Sequence, residues 1–203
     1  MPYYLSFDLS TLKDIEIPTD SLSNERALVV SKYVLLEDRQ RSAIAWLLLQ
    51  FGFKRFFNDS PSNYKLSERK NGKPYLIDCP YDFSISHSLN LVYVIIGDPS
   101  DGAVGVDIEF VDFNRELHHK LLKRFAIDLS VTNCEIKRSF FKEWTIHEAM
   151  VKLFDSETWE KKRYCRSSIF VFDNCHNEYA LTVVCQNSQH FTAFSADYPV
   201  LFE

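Results

Sequence analysis

The spacing of apolar residues along the chain predicts two sets of helices and strands. Residues 3–9 alternate between apolar and polar side chains, which predicts a first strand. Ser and Asn residues at 21–24 can cap a helix, and apolar residues at helical spacing follow them. A second helix is predicted over 37–51. Three short strands come next, over 83–86, 91–96 and 103–109.

The second half of the chain repeats this order. A short amphipathic helix is predicted over 114–125. Thr132 and Glu135 form a capping box that opens a long helix reaching about residue 154. Three more strands are predicted, over 167–173, 179–185 and 191–196. Each half is therefore helices followed by a three-stranded meander, and we expect the halves 1–109 and 110–203 to pack as one compact α+β unit.

Composition limits the classes of function. The chain has 203 residues with 46% hydrophobic and 15% aromatic residues, enough for a substantial core. Its net charge of −5 disfavours a general nucleic-acid binder. No apolar run is long enough to span a bilayer and no signal peptide is recognisable, so we expect a cytoplasmic protein. Five scattered cysteines without a CxxC indicate neither a disulfide framework nor a zinc site.

The segment Gly105-Val106-Asp107-Ile108-Glu109 is the first of two acidic motifs. On a strand, Asp107 and Glu109 share one face, roughly 7 Å apart, while the apolar residues share the other. Carboxylates this close repel each other unless water screens them or a cation lies between them. The segment is thus either a solvated strand surface or half of a cation site.

The second motif runs from Trp144 to Lys152. Trp144, Glu148 and Lys152 recur every four residues and form one stripe along a helix. Glu148 and Lys152 could simply be a helix-stabilising ion pair. If the stripe faces the acidic strand, however, three carboxylates and a lysine converge, which would suit Mg²⁺ bridging a substrate phosphate.

Basic and hydroxyl groups upstream of the acidic motifs are candidates for anion binding. Gly72-Lys73-Pro74 places a lysine next to a glycine turn. Ser86, His87 and Ser88 cluster where a predicted strand ends, and they can donate hydrogen bonds to a phosphate. Arg39, Arg41 and Ser42 open the second helix. Taken alone, each group is more often part of an ordinary loop, turn or helix surface.

Taken in order, these motifs resemble the Sfp-type 4′-phosphopantetheinyl transferases. The resemblance covers about residues 37–152 and depends mainly on GVDIE followed by the Trp…Glu-Ala…Lys helix. It implies a pseudo-dimer of two similar α+β halves, each with helices on a three-stranded or larger antiparallel sheet, and an active site in the cleft between them. Residues 1–109 would bind coenzyme A. Residues 110–203 would carry the metal-binding helix and dock the carrier protein.

The resemblance also implies a reaction: Mg²⁺-dependent transfer of phosphopantetheine from coenzyme A to a serine of an apo acyl or peptidyl carrier protein, releasing 3′,5′-adenosine bisphosphate. Such enzymes serve fatty acid, polyketide and nonribosomal peptide synthesis. We expect a cytoplasmic monomer without nucleic-acid or membrane partners, in which Mn²⁺ can replace Mg²⁺. The implied metal ligands are Asp107, Glu109 and Glu148, of which Glu148 would also accept the serine proton. Coenzyme A would contact Arg41, Ser42, Lys73, Ser86, His87, His147 and Lys152. Asp107, Glu148 and Lys152 are the implied catalytic residues.

The sequence departs from the family pattern at two positions. His147 stands where the family usually has Lys, and Leu89 stands where it usually has Gly. A histidine can still donate to a phosphate, although it is shorter and only partly charged at neutral pH. His147 is the one feature that favours a non-catalytic module binding coenzyme A or a carrier protein. A Mg²⁺-dependent phosphohydrolase is a further alternative, but it would leave the GKP and SHS segments unexplained.

A basic patch around the 114–125 helix is the candidate surface for an acidic carrier protein, and a solvated helix face is the equally simple alternative. Its members are Arg115, His118, His119, Lys120, Lys123 and Arg124.

Overall fold

The structure is a computed structural model. It describes residues 1–12, 17, 19–112, 122–123, 125–155, 169–170, 178–188 and 190–195. The strands among them are β1 (Tyr3–Asp8), β2 (Lys65–Glu68), β3 (Pro74–Ile77), β4 (Asp82–Ser88), β5 (Leu91–Gly97), β6 (Val104–Phe110), β7 (Ile169–Phe170), β8 (Tyr179–Cys185) and β9 (Thr192–Ser195). The helices are α1 (Asn24–Ser31), α2 (Leu36–Gly52) and α3 (Asn133–Phe154), with short helical turns at Leu9–Thr11, Thr19–Ser21, Phe53–Phe57 and Pro61–Asn63.

The strands form two main sheets and a hairpin. The first sheet has the order β4-β5-β1-β9, in which β9 runs parallel to β1 and the other pairs are antiparallel. The second sheet has the antiparallel order β6-β8-β7. The hairpin joins β2 to β3. The protein is therefore an α+β fold with mainly antiparallel sheets.

The two sheets pack face to face between two helices. One face of the first sheet forms a core with α2, which contributes buried residues such as Ile44 and Leu48. Its other face meets the second sheet through Ile95, Val106 and Val183. On the far side of the second sheet, α3 packs Met150 and Leu153 near Val184. This order places β6 with one face toward the first sheet and the opposite face toward α3.

The predicted long helices are confirmed, and so are the predicted strands as far as the described residues show them, but the predicted meanders are wrong in their pairing. β6 does not pair with β5 in the first sheet; it pairs with β8 from the second half. β9 does not follow β8 in the second sheet; it pairs with β1 from the first half. Alternation along a strand specifies its faces but not its partner, so local pattern could not show this exchange. The β2–β3 hairpin was missed.

Side-chain hydrogen bonds cap the first turns of α1 and α3. Ser23 caps α1 by accepting a hydrogen bond from the Arg26 amide. Thr132 and Glu135 form the predicted capping box of α3. No helix in the described part of the chain is long and apolar enough to cross a membrane. Cys79, Cys134 and Cys185 are free thiols. The other two cysteines, most of the predicted 114–125 helix and most of the predicted 167–173 strand lie outside the described residues.

Candidate active site

Gly105 brings α3 directly against β6. A β-carbon at this position would lie 2.1 Å from the carbonyl oxygen of Ala149 and 3.0 Å from Val184. Because real side chains do not approach that closely, only glycine permits the helix backbone to cross the strand here. The glycine of the GVDIE motif therefore sets the distance between the acidic strand face and the helix stripe.

Asp107 and Lys152 meet at this crossing. Lys152 Nζ donates to Asp107 Oδ1 at 2.8 Å and to the Val106 carbonyl at 3.0 Å, and it lies 3.5 Å from the Ile85 carbonyl. Asp107 is 4% exposed, whereas a quarter of the Lys152 side chain reaches solvent. The predicted convergence of the helix stripe with the acidic strand is thus observed at its lysine end.

The two carboxylate oxygens of Asp107 differ in their hydrogen bonds. Ser86 donates to Oδ1 at 3.0 Å, on the same oxygen that Lys152 contacts. Oδ2 is buried and accepts no hydrogen bond from the described residues. A buried carboxylate oxygen without a partner is costly in an apo protein and is the arrangement that a cation or a donor on a ligand would relieve.

Glu109 lies beside Asp107 on the same strand face. Burial raises the pKa of its carboxyl, and the nearby negative charge of Asp107 raises it further. Trp144, Lys152 and Ser88 oppose this pKa shift, so Glu109 interacts with both ends of the helix stripe. The stripe therefore faces the acidic strand along its length, and Glu148 lies on it midway between Trp144 and Lys152.

The carboxylates do not form a closed cage in this arrangement. Within the part of the chain that the structure describes, no three His, Cys, Asp or Glu side chains are grouped closely enough to hold a metal ion. The donor chemistry of Asp107, Glu109 and Glu148 fits a hard divalent cation, because carboxylate oxygens are its preferred ligands. Their role as metal ligands stays a prediction.

His87 and Arg41 bring two further basic side chains close to Lys152. His87 is exposed at the end of β4, yet the protein around the ring lowers its pKa, first through partial desolvation and then through the charges of Arg41 and Lys152. Arg41 is held in place because it donates to the Leu89 carbonyl at 2.9 Å and pairs with Asp38 at 2.5 Å. Three basic groups from three elements thus act on one region, as an anion site requires.

Two of the predicted coenzyme A contacts are engaged elsewhere. Lys73 is 4% exposed, and its ammonium donates to Asp82 at 2.6 Å and to the Val104 carbonyl at 2.8 Å. Burial lowers the pKa of Lys73, and Asp82 partly offsets that effect. Ser42 is buried and accepts a hydrogen bond from Arg26 at 2.7 Å. Contact of either residue with coenzyme A stays a prediction.

His147 lies in an aromatic cluster. It is 8% exposed, and its ring centre is 5.8 Å from that of Phe125 and 6.4 Å from that of Trp144. The residue at the family's lysine position is therefore mostly buried in this protein. Of the basic patch predicted for carrier-protein docking, Lys123 is exposed, and the other members lie outside the described residues.

Several polar residues of the site region were not singled out from the sequence as partners of β6 or α3. Asn71 in the β2–β3 turn donates to the Val151 carbonyl at 2.8 Å and so fixes the GKP turn against α3. Asp82 joins Lys73 to β6, because it also accepts from the Val104 amide at 2.9 Å. The alternating serines of the SISHS segment were a usable signal, since residues two apart share a strand face.

Comparison with known proteins supports the resemblance read from the motifs. The chain is 28% identical over 141 residues to the 4′-phosphopantetheinyl transferase gsp of Aneurinibacillus migulanus, a match that covers 66% of this chain and 56% of that protein. It is 28% identical over 151 residues to a putative 4′-phosphopantetheinyl transferase of Haemophilus influenzae, covering 72% of this chain and 62% of that protein. No family model matches the chain.

These matches confirm the similarity to the 4′-phosphopantetheinyl transferase family, and both relatives carry the name of a transferase. The matched region spans about three fifths of the length of these relatives.

Proposed function

We propose that this protein transfers 4′-phosphopantetheine from coenzyme A to a serine of an apo acyl or peptidyl carrier protein in the cytoplasm. The observation that carries the proposal is the meeting of Asp107 and Lys152 where α3 crosses β6, with Glu109 beside them. The names of the two relatives support the same reaction class. The basic groups Arg41 and His87 next to Lys152 support a polyanionic donor such as coenzyme A.

In the proposed reaction the carrier serine hydroxyl attacks the β-phosphate of coenzyme A. The bond from that phosphorus to the bridging oxygen breaks, and 3′,5′-adenosine bisphosphate leaves with the bonding electrons. Glu148 accepts the serine proton, and Lys152 faces the leaving phosphate. An ammonium has three N–H donors, and the 3.5 Å contact of Lys152 with the Ile85 carbonyl is the weakest of its three. That donor is the one that a phosphate oxygen can take over.

A divalent cation, Mg²⁺ or Mn²⁺, would be held by Asp107, Glu109 and Glu148 and would neutralise charge on the pyrophosphate. The buried, unpartnered Oδ2 of Asp107 supports this assignment. Until such a ligand is bound, Lys152 balances the charge of Asp107.

Intact mass spectrometry tests the proposal. The protein is incubated with coenzyme A, Mg²⁺ and a panel of apo carrier proteins, and a Mg²⁺-dependent gain of one phosphopantetheine on a carrier is expected. Asp107→Ala should lower the rate at least about 100-fold, since it removes an electrostatic group that acts on the transferring phosphate. Asp112→Ala, which removes an exposed carboxylate just after β6, is the matched control and should keep the wild-type rate. Equal rates for Asp107→Ala and wild type would overturn the proposal.

A further inference from the structure

β4 and β6 are joined by side chains that contact a strand backbone. Four side-chain oxygens from alternate residues of β4 accept hydrogen bonds from four alternate amides of β6, at 2.8–3.2 Å. We call this set the β4–β6 ladder. Its pairs are Asp82 with Val104, Ser84 with Val106, Ser86 with Ile108, and Ser88 with Phe110.

The ladder explains why hydroxyl residues recur at every second position of β4. Backbone amides at a buried strand edge need acceptors, because an unpaired buried N–H costs as much as a lost hydrogen bond. β6 turns its other edge toward β8, and so this edge depends on β4. Lys73 and Lys152 complete the arrangement from two other elements by donating to the Val104 and Val106 carbonyls.

Ser86 makes a second contact besides its ladder bond, as Ser88 does with Glu109 Oε2 at a longer 3.4 Å. Its hydroxyl accepts from the Ile108 amide at 3.2 Å and donates to Asp107 Oδ1 at 3.0 Å. Both Ser86 and Asp107 are buried, so water does not compete for this hydrogen bond. Because the amide occupies a lone pair of the hydroxyl oxygen, the O–H is directed at the carboxylate.

The position of the carboxylate follows from these contacts. Ser86 and Lys152 approach the same oxygen of Asp107 from two different elements, which fixes the rotation of the side chain. The other oxygen, Oδ2, is left buried and unpartnered among the described residues. Without Ser86, only Lys152 would hold Oδ1, and the carboxylate could rotate about its Cβ–Cγ bond.

We propose that Ser86 is a positioning residue for Asp107: it orients the carboxylate so that Oδ2 is available to a divalent cation, rather than contacting coenzyme A itself. The inference rests on the proposed function, since it concerns the same carboxylate. It assigns Ser86 two tasks: it accepts from a β6 amide, as the whole ladder does, and it orients the Asp107 carboxylate.

Ser84 provides a matched control. Its hydroxyl is also buried and accepts from a β6 amide, Val106, at 3.2 Å, but it contacts no carboxylate of the described residues. Ser84→Ala and Ser86→Ala therefore remove the same kind of ladder contact, and only the second removes the hydrogen bond to Asp107. Ser86→Cys has a slightly larger side chain with a weaker donor, and it replaces Ser86→Ala should that variant fail to fold.

The first measurement is Mn²⁺ binding by electron paramagnetic resonance, with coenzyme A present. Ser86→Ala should raise the Mn²⁺ dissociation constant about ten-fold, as loss of a residue orienting a metal ligand does. Ser84→Ala should stay within about two-fold of wild type, because it lies outside the Asp107 contacts. The Mg²⁺ concentration for half-maximal transfer should likewise rise for Ser86→Ala and stay close to wild type for Ser84→Ala. Equal shifts for the two alanine variants would overturn the proposal.

The second measurement does not need activity. Urea unfolding of Ser86→Ala, Asp107→Ala and the double variant forms a double-mutant cycle. A direct hydrogen bond to a charged acceptor predicts a coupling of about ten-fold in the folding equilibrium constant. The absence of coupling overturns the proposal whatever the activity. If wild-type protein modifies no carrier but coupling is present, the proposed function fails while the contact between Ser86 and Asp107 stands.

Discussion

Lys152 Nζ lies 2.8 Å from Asp107 Oδ1, and this contact links the last turns of α3 to the middle of β6. The two residues are 45 positions apart in the chain. One is a candidate metal ligand and the other a candidate phosphate contact, so the ion pair holds two prospective catalytic groups together before any ligand arrives. The ion pair also stabilises the folded protein, because the carboxylate of Asp107 is almost fully buried.

Removing the lysine should therefore destabilise the protein as well as stop the reaction. Lys152→Met leaves the Asp107 charge buried without its cation, which should cost about 2 kcal/mol of unfolding free energy; this is below the usual range for buried pairs because Lys152 is partly exposed. Urea unfolding at pH 7 measures the loss. In an Asp107→Asn background the same substitution should cost clearly less, and an equal cost in both backgrounds would contradict this role of the pair.

Gly105→Ala should be among the most damaging single substitutions on β6. The added methyl would lie 2.1 Å from the Ala149 carbonyl, so α3 or the strand must move. We expect a loss of about 3 kcal/mol by urea unfolding, at the upper end for overpacking, together with loss of transfer activity.

A second substitution tests whether the backbone of α3 or the methyl group of Ala149 causes that loss. Since the clash is with the backbone oxygen of Ala149 rather than its methyl group, Ala149→Gly should not rescue Gly105→Ala. It should instead add its own helix cost of about 1 kcal/mol. Recovery of stability in the double variant would show that the helix backbone is not the obstacle.

The sequence predicted those features of the site that are local. Alternation placed Asp107 and Glu109 on one face of β6, and helical spacing placed Trp144, Glu148 and Lys152 on one stripe; the structure brings that face and that stripe together. Capping chemistry gave the start of α3 from four residues.

Features that depend on distant partners could not be predicted in the same way. The acceptors of Lys73 include Val104, 31 positions away, and Ser86 donates to Asp107, 21 positions away. A lysine in a glycine turn and a serine at a strand end are usually surface groups, so their burial follows only from how the two sheets pack. The exchange of β6 and β9 between the sheets is a long-range pairing for the same reason.

His147→Lys tests the family's lysine in this protein. His147 is mostly buried next to Phe125 and Trp144, so an ammonium introduced there would lose hydration. At pH 7 we expect a loss of about 2 kcal/mol relative to the neutral His147→Gln variant. This outcome would mean that histidine suits the aromatic cluster rather than a phosphate.

The pH dependence of the His147→Lys variant identifies the cause. Burial should depress the folded-state pKa of the new amine below its unfolded value of about 10.4. The cost is then fully present below the folded pKa and is relieved as pH rises toward 10.4. Urea unfolding of both variants from pH 7 to 10 measures the difference. A difference in unfolding free energy between the two variants that stays constant with pH would point to altered packing instead of a buried charge.

His87 should link coenzyme A binding to pH. Desolvation and the charges of Arg41 and Lys152 lower its pKa below the usual value of about 6.5, so the folded state binds fewer protons than the unfolded state between those two pKa values. Stability should therefore rise with pH through that window, and the penalty is complete below the folded pKa. His87→Gln should remove this dependence, as measured by urea unfolding from pH 5 to 7.

A phosphate bound next to His87 should raise the pKa of this residue, because its negative charge favours the imidazolium form. The pKa of His87, followed by the NMR shift of its ring proton, should rise when coenzyme A is added. By linkage, the affinity for coenzyme A should increase as pH falls from the His87 pKa of the complex to that of the free protein, and calorimetry on wild type and His87→Gln separates this contribution from other groups. A His87 pKa that coenzyme A leaves unchanged would remove this residue from the coenzyme A contacts and leave Arg41 and Lys152 as the basic groups facing the ligand.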